Sequence, residues 1–239
     1  MQDILDILRD YGLLLAVGQF PDGPIGGLAL TLILAVTGLT VSFPLSVLIG
    51  VGRTSHHPAI AWTCTAFVTL VRALPLLMLI FWAYFVVPLI IGRTVSALTT
   101  VICALVVYET AYLAEVVRAA ILALPKGQTE ASRSLGLSAS QTLRDVILPQ
   151  ALFNAIPSIL NQFISLVKNT SVAYIISVSE LTYSAYQINA QLMTKPLQVY
   201  LILAAIYFII CFSLSRLVRL VEKRIDASRK APVAAGSAA

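Results

Sequence analysis

Charge is scarce in this chain. Asp, Glu, Lys and Arg make up 11% of its 239 residues, against roughly 25% in ordinary soluble domains. Apolar residues make up 59%, and the mean hydropathy is +0.90. Polar surface is too sparse for a soluble globular fold, which leaves a polytopic membrane protein. Cysteine is nearly absent too. Cys64, Cys103 and Cys211 are odd in number, scattered, and each set in an apolar segment. That excludes a disulfide framework or a cysteine-rich metal site and leaves small packing residues. The only histidines, His56 and His57, are neighbours. Adjacent residues do not share a helix face, so they form no metal pair and read as solvated. No GxxxxGK[ST] occurs, so the chain has no P-loop and any ATP hydrolysis belongs to a separate subunit. HExxH and GxSxG are missing as well. The opening MQDILDILRD is acidic and lacks the positive n-region of a signal peptide, so the first apolar segment is expected to be retained. The pI of about 9.2 then reflects membrane topology rather than nucleic acid binding.

Long apolar runs are what the chain has instead. Residues 4 to 18 alternate Ile4, Leu5, Ile7 and Leu8 with Asp3, Asp6, Arg9 and Asp10, which predicts an amphipathic helix at the interface. The Pro- and Gly-rich QFPDGPIGG is a turn. Five spans are expected, at Leu28–Val51, Ile60–Ile91, Ser96–Ala123, Ala151–Ile176 and Leu197–Leu220, each at least the roughly 20 residues a bilayer needs. The second is long for one straight crossing, and Pro75 and Pro88 allow a kink or re-entrant end. The fourth has a bend point at Pro157. The domain reading is a segment 1–26 outside the spans, an all-α membrane domain over 27–222, and a tail over 223–239 that ends in the disorder-prone APVAAGSAA. Lys and Arg gather on one side: Arg53; Lys126, Arg133 and Arg144; then Arg216 to Lys230. The positive-inside rule makes that side cytoplasmic, with the N-terminus outside and the C-terminus inside.

Ionisable residues inside spans are costly and point to function. Arg72 lies roughly 18 Å into the second span at about 1.5 Å per residue, Glu109 is at similar depth in the third, and Lys168 is in the fourth. An amino acid offers a carboxylate and an ammonium. Arg72 and Lys168 suit carboxylates, and Glu109 suits the ammonium. The alternative is an internal bridge from Arg72 or Lys168 to Glu109. Asn169, Thr170 and Ser171 follow Lys168 and either line a polar cavity or bond back to their own helix. Glu115 and Arg118 sit three apart, a spacing that pairs them on one helix.

Between the third and fourth long runs lies a polar stretch, EASRSLGLSASQTLRDVILP, from Glu130 to Pro149. Gly136 interrupts it, Ser138 is placed to cap a second short helix, and Pro149 suits a helix's first turn. A helix–Gly–helix element on a membrane surface is a docking face for something soluble. This stretch resembles the EAA loop of ABC importer permeases, which runs E-A-A, three residues, G, nine residues, I-x-L-P. Glu130, Ala131, Gly136, Leu148 and Pro149 match, while Ser132 and Val146 depart mildly. The resemblance extends over about residues 27 to 222, to the polar amino acid permeases of type I ABC importers. It is carried by Arg53-Thr-Ser55, Arg72-Ala-Leu-Pro75 in place of R-G-T-P, Ala111-Tyr-Leu-Ala-Glu115 with Arg118, Gly127-Gln128, Leu148-Pro-Gln-Ala151 and Lys168-Asn-Thr-Ser171.

What the resemblance implies is a five-span permease paired with a second copy or a homologous subunit in a bacterial inner membrane. Its loop 126–149 would be the coupling helix for an ATPase dimer that carries ATP and Mg, with no cofactor in this chain. A solute-binding protein would deliver the substrate. Substrate contacts are implied around Arg72 and around Lys168, Asn169, Thr170 and Ser171. Glu109 is similar to an acidic position of glutamate/aspartate permeases, so acidic amino acids are favoured over basic or amide ones. Two rivals stay open on the residues alone. One is a gradient-driven transporter using Arg72, Glu109 and Lys168, although five spans show no internal repeat. The other is an intramembrane enzyme using Glu109, although no His or Cys constellation accompanies it.

Overall fold

The computed structural model describes residues 2–230. Helices build it: α1 (Gln2–Val17), α2 (Gly27–Gly52), α3 (Pro58–Ala73), α4 (Leu76–Ile91), α5 (Ala97–Leu122), α6 (Lys126–Ser134), α7 (Leu148–Asn169), α8 (Leu181–Leu192) and α9 (Pro196–Lys230). A 3₁₀ segment, Thr170–Ile176, follows α7. α2, α5 and α9 are long and apolar enough to cross a membrane. The expected second span is two helices, α3 and α4, bent by 101° at their junction. Leu74, just before Pro75, is extended at φ −99°, ψ 136°. The residue before a proline is driven out of the helical region, so the break falls there. The expected fourth span, α7, is polar along one face and less apolar than the spans of α2, α5 and α9.

The centre is the contact of α2 with α5. Along α2, Thr31, Ala35, Gly38, Ser42, Ser46 and Gly50 are buried at intervals of three or four residues. Small residues at helical spacing let two backbones approach closely, which drives helix association where lipid removes the hydrophobic incentive. Gly50 is where that approach is tightest. A Cβ there would lie 2.8 Å from Val117 Cβ and 2.9 Å from the Ala114 carbonyl oxygen. Leu34, Ile80, Leu105, Leu166 and Val167 fill the space between α2, α4, α5 and α7. Outward, Trp62, Leu70, Leu89, Ile90, Phe208 and Ile209 are exposed. An apolar exterior around a core of small residues is the pattern a lipid solvent selects.

α1 is amphipathic as expected. It buries Ile7 and Leu15 against Leu181, Ala185 and Ile188 of α8 and Val199 and Ile202 of α9. Lys195, in the loop before α9, pairs with Asp3. Hydrogen bonding to Lys195 lowers the Asp3 carboxyl below its usual range, and Asp3 raises the Lys195 ammonium in turn.

α6 ends in a Schellman-type turn. Gly136 takes φ +87°, and the Leu137 amide donates to the Ser132 carbonyl oxygen at 3.2 Å. Glycine serves there because a side chain disfavours the left-handed region. Ser138 then forms a full capping box: its hydroxyl accepts from the Gln141 amide, and the Gln141 side chain accepts from the Ser138 amide. The helix it caps is not a separate short piece. It runs from Ala139 through a wide π turn at Thr142–Ile147 and continues as α7, with Pro149 in the first turn. At the far end, α9 extends to Lys230, eight residues into the 223–239 segment read as tail; APVAAGSAA lies outside the described residues.

Candidate functional site

Glu115, on α5, is a meeting point for three guanidinium groups. Arg118 donates to its Oε1 from Nε at 3.2 Å and from Nη2 at 2.7 Å, which is the i,i+3 pair expected from the sequence. Arg53, just past the end of α2, donates to Oε2 from a largely buried position. Arg72, near the end of α3, reaches the same Oε2 at 3.5 Å. One carboxylate therefore ties together the ends of α2, α3 and α5. Arg72 also lies over the Tyr112 ring, 5.2 Å from its centroid, where a guanidinium is held by the ring's negative face.

The bridge from Arg72 or Lys168 to Glu109 is not formed. Glu109 is fully buried and accepts from Gln162 Nε2 at 3.0 and 3.3 Å, and Asn169 also engages it. The physical reason is reach. Arg72 lies beside Glu115, close to two turns further along α5, and the amides of α7 face Glu109 instead. Lys168 is exposed and forms no ion pair among the described residues; its charge is felt by Cys211 on α9. Thr170 is buried and donates to its own helix, to the Val167 carbonyl oxygen at 2.8 Å, and Ser171 is half-buried beside it. Of the Lys168–Ser171 run, only Asn169 joins the charged groups of α5.

A cavity of ≈ 580 Å³ opens between α3, α5 and α7. Arg72, Tyr112 and Glu115 line one wall, and Asn154, Ser158 and Gln162 of α7 line the other. Ala119, Ala120, Ala123 and Ala155 keep it open with their small side chains. Glu109 lies behind Gln162, and Lys168 is not in the wall. Sequence reasoning passed over Gln162, Asn154 and Ser158, and it took Arg53 as a flanking charge and as part of the Arg53-Thr-Ser55 resemblance, not as a partner of Glu115. The signal for the first three is a polar stripe at helical period in the fourth apolar run: Asn154, Ser158, Asn161, Gln162, Ser165, Asn169.

On the polar element, Glu130, Ala131, Leu135 and Gly136 are exposed, with Leu135 at 82%. Pro149 is exposed and Leu148 half-buried at the entry to α7. An exposed leucine beside an exposed glycine turn is a small apolar knob with no cover in the chain itself.

Residues 42–227 match the family described as binding-protein-dependent transport system inner membrane component. The chain is 36% identical over 223 residues to the inner membrane amino-acid ABC transporter permease protein YhdY of Escherichia coli, across 92% of this chain; it spans 61% of that relative's length. It is 37% identical to the probable glutamine ABC transporter permease protein GlnP of Bacillus subtilis, across 83% of this chain and 91% of the relative. It is 30% identical to the glutamate/aspartate import permease protein GltK of Escherichia coli, again across 83% and 91%. Among solved structures, the fold is similar to that of an amino acid ABC transporter crystallised with histidines, at TM-score 0.81 and 30% identity, across 93% of this chain and 98% of the other.

Proposed function

The chain belongs to the binding-protein-dependent transport system inner membrane components, as an amino-acid ABC transporter permease, and we propose that it carries acidic amino acids inward by alternating access. The observation that supports this is the charge around the ≈ 580 Å³ cavity. Its volume lies within the few hundred to a thousand Å³ usual for small-molecule sites. Arg53, Arg72 and Arg118 share the single carboxylate of Glu115, so positive charge is in surplus there. A net-negative amino acid meets that surplus, whereas a basic one would add to it. In this reading Arg72 exchanges Glu115 for a substrate carboxylate, and Glu115 or the amide of Gln162 receives the substrate ammonium or its hydrogen bonds. Glu109 on α5 and Lys168, Asn169, Thr170 and Ser171 at the end of α7 act at one remove, through the packing of α7 on α5.

Glu130, Ala131, Gly136, Leu148 and Pro149 form the coupling element under an ATPase subunit that supplies ATP and Mg. α6 is continuous through one turn with α7, so a push on the element is delivered to the wall that bears Gln162. A second permease covers the polar stripe of α7, and a solute-binding protein feeds the site from the opposite face. The N-terminus lies outside and the C-terminus in the cytoplasm of a bacterial inner membrane. A gradient-driven carrier and an intramembrane enzyme do not fit the family.

The test begins with tagged chain pulled from native membranes beside Gly136→Asp. A P-loop ATPase should come down with the first and not with the second. With the recovered complex in proteoliposomes, ATP-driven uptake of glutamate should exceed that of glutamine or arginine. Arg72→Gln should lower glutamate uptake roughly 10- to 100-fold, the usual worth of a hydrogen bond to a charged group. Uptake of arginine ahead of glutamate would sink the acidic assignment and leave the permease assignment intact.

A further inference from the structure

A second cavity, of ≈ 970 Å³, lies at the end of the bundle that carries the coupling element. Its floor is apolar: Leu48 and Val51 of α2, Ile60 of α3, and Ile121 and Leu122 of α5. Leu48, Ile60 and Leu122 are themselves exposed, at 70%, 48% and 60%, so the floor is continuous with the apolar exterior. Its rim is basic. His56, His57, Lys126 and Arg133 line it, and no Asp or Glu does. Hydroxyls of Thr54, Ser55, Thr129 and Ser140 stand among them. Thr142, also in the wall, is 2% exposed, and its Oγ1 has no hydrogen-bond partner among the described residues.

α6 divides its residues between two sides. Lys126, Thr129 and Arg133, at i, i+3 and i+7, line this cavity, whereas Glu130 and Ala131 do not. An occupant of the cavity and a soluble partner on the element would therefore hold different faces of the same short helix. Apolar at the bundle side and cationic at the rim, at the boundary where two spans end, the cavity has the chemistry of a phospholipid seat. Basic pockets between spans at a membrane surface recognise anionic head groups.

We propose that this cavity seats one anionic phospholipid, with its phosphate at Lys126 and Arg133 and its upper acyl chains along Leu48, Ile60 and Leu122. The lipid props α6 from the membrane side. The inference rests on α2 and α5 as spans, not on the transported amino acid or on ATPase docking.

The experiment reads lipid retained per chain by native mass spectrometry. Permease with its ATPase, or the permease chain alone if no ATPase co-purifies, is incubated with equal phosphatidylglycerol and phosphatidylcholine. Wild type is expected to keep one phosphatidylglycerol in preference to phosphatidylcholine. Lys126→Glu should lower that retention roughly fivefold or more, the factor of one basic group near an anionic lipid surface. His57→Glu, at a second exposed rim position, should lower it as well, so one poorly folding variant does not decide the matter. Arg93→Glu, at the opposite end of α5, should leave it unchanged. Equal retention of the two lipids by wild type would overturn the proposal. So would retention unmoved by both rim substitutions in monodisperse protein.

Discussion

Three guanidinium groups around one half-buried carboxylate make Glu115 the residue whose charge matters most to the resting structure. Replacing it by Gln strands Arg53, which is already largely buried with an unpaired Nε. We expect Glu115→Gln to destabilise the permease by about 2–3 kcal/mol, less than the 3–5 of a fully buried pair because solvent reaches the site. Arg118→Gln, on the more exposed side, should cost under about 1 kcal/mol. Thermal unfolding in detergent checks both, and equal losses would refute the ranking. The Glu115–Arg118 pair was legible because three residues along a helix is a contact rule. Arg53 and Arg72 at the same carboxylate were not legible, since they arrive from other helices and only packing brings them there. For the same reason the alternative bridge from Glu109 to Arg72 or Lys168 did not form. Depth in a span says a buried acid needs donors, and here those donors are neutral amides on α7, not cations.

At the scale of elements, Gly136 and α1 make separate predictions. A Cβ on Gly136 meets nothing within 4 Å, so any cost of substitution comes from the backbone at φ +87°. Gly136→Ala should cost about 1–2 kcal/mol in the turn, with Gly136→Asn milder because Asn tolerates the left-handed region. Co-purified ATPase and ATP-driven uptake should fall in the order Gly, Asn, Ala; Ala equal to wild type would show the turn is not needed. For α1, the Asp3 carboxyl is lowered and the Lys195 ammonium raised. The Asp3 contribution is complete above its unfolded value and fades only as pH falls through the lowered one. The Lys195 contribution is complete below its unfolded value and fades only as pH rises through the raised one. Both are charged between about pH 5 and 9, so a spin label on α1 should keep its mobility across that range. Release on moving from pH 7 to 5 would refute the pairing. The positions of α2, α5 and α9 were plain in the apolar runs. The 101° break was foreshadowed by Pro75, but its angle was not, because a proline fixes where a helix stops and not where the next one points. The π turn at Thr142–Ile147 left no mark in the sequence.

Across the whole molecule, one surface is unlike the rest. The polar stripe of α7, with Ser158 and Asn161 exposed, lies along a helix between the two ends of the bundle, where Trp62, Leu70, Phe208 and Ile209 of other helices are exposed and apolar. Lipid is a poor neighbour for such a face, and a second permease is a good one. If that neighbour is another copy, Ser158→Cys in a background without Cys64, Cys103 and Cys211 should give a disulfide-linked dimer on oxidation in native membranes. No dimer, together with co-purification of a distinct permease, would mean a heterologous pair. Oligomeric partners were implied by resemblance alone; the stripe that would meet them was present in the sequence but diluted by the apolar residues between its members.

At the end of the bundle away from the coupling element, Glu180 is fully buried and caps α8, accepting from the amides of Thr182 and Tyr183. From other helices it accepts from Thr31 on α2, at 3.5 Å, and from Tyr207 on α9, at 3.2 Å. These two lie far apart in the order of synthesis: Thr31 is in place before Glu180 is made, and Tyr207 emerges only after it. A ribosome that has delivered everything up to α8 has therefore produced a carboxylate with an incomplete shell. The outer packing closes only with the last helix, so a chain truncated ahead of Tyr207 leaves this buried carboxylate one donor short.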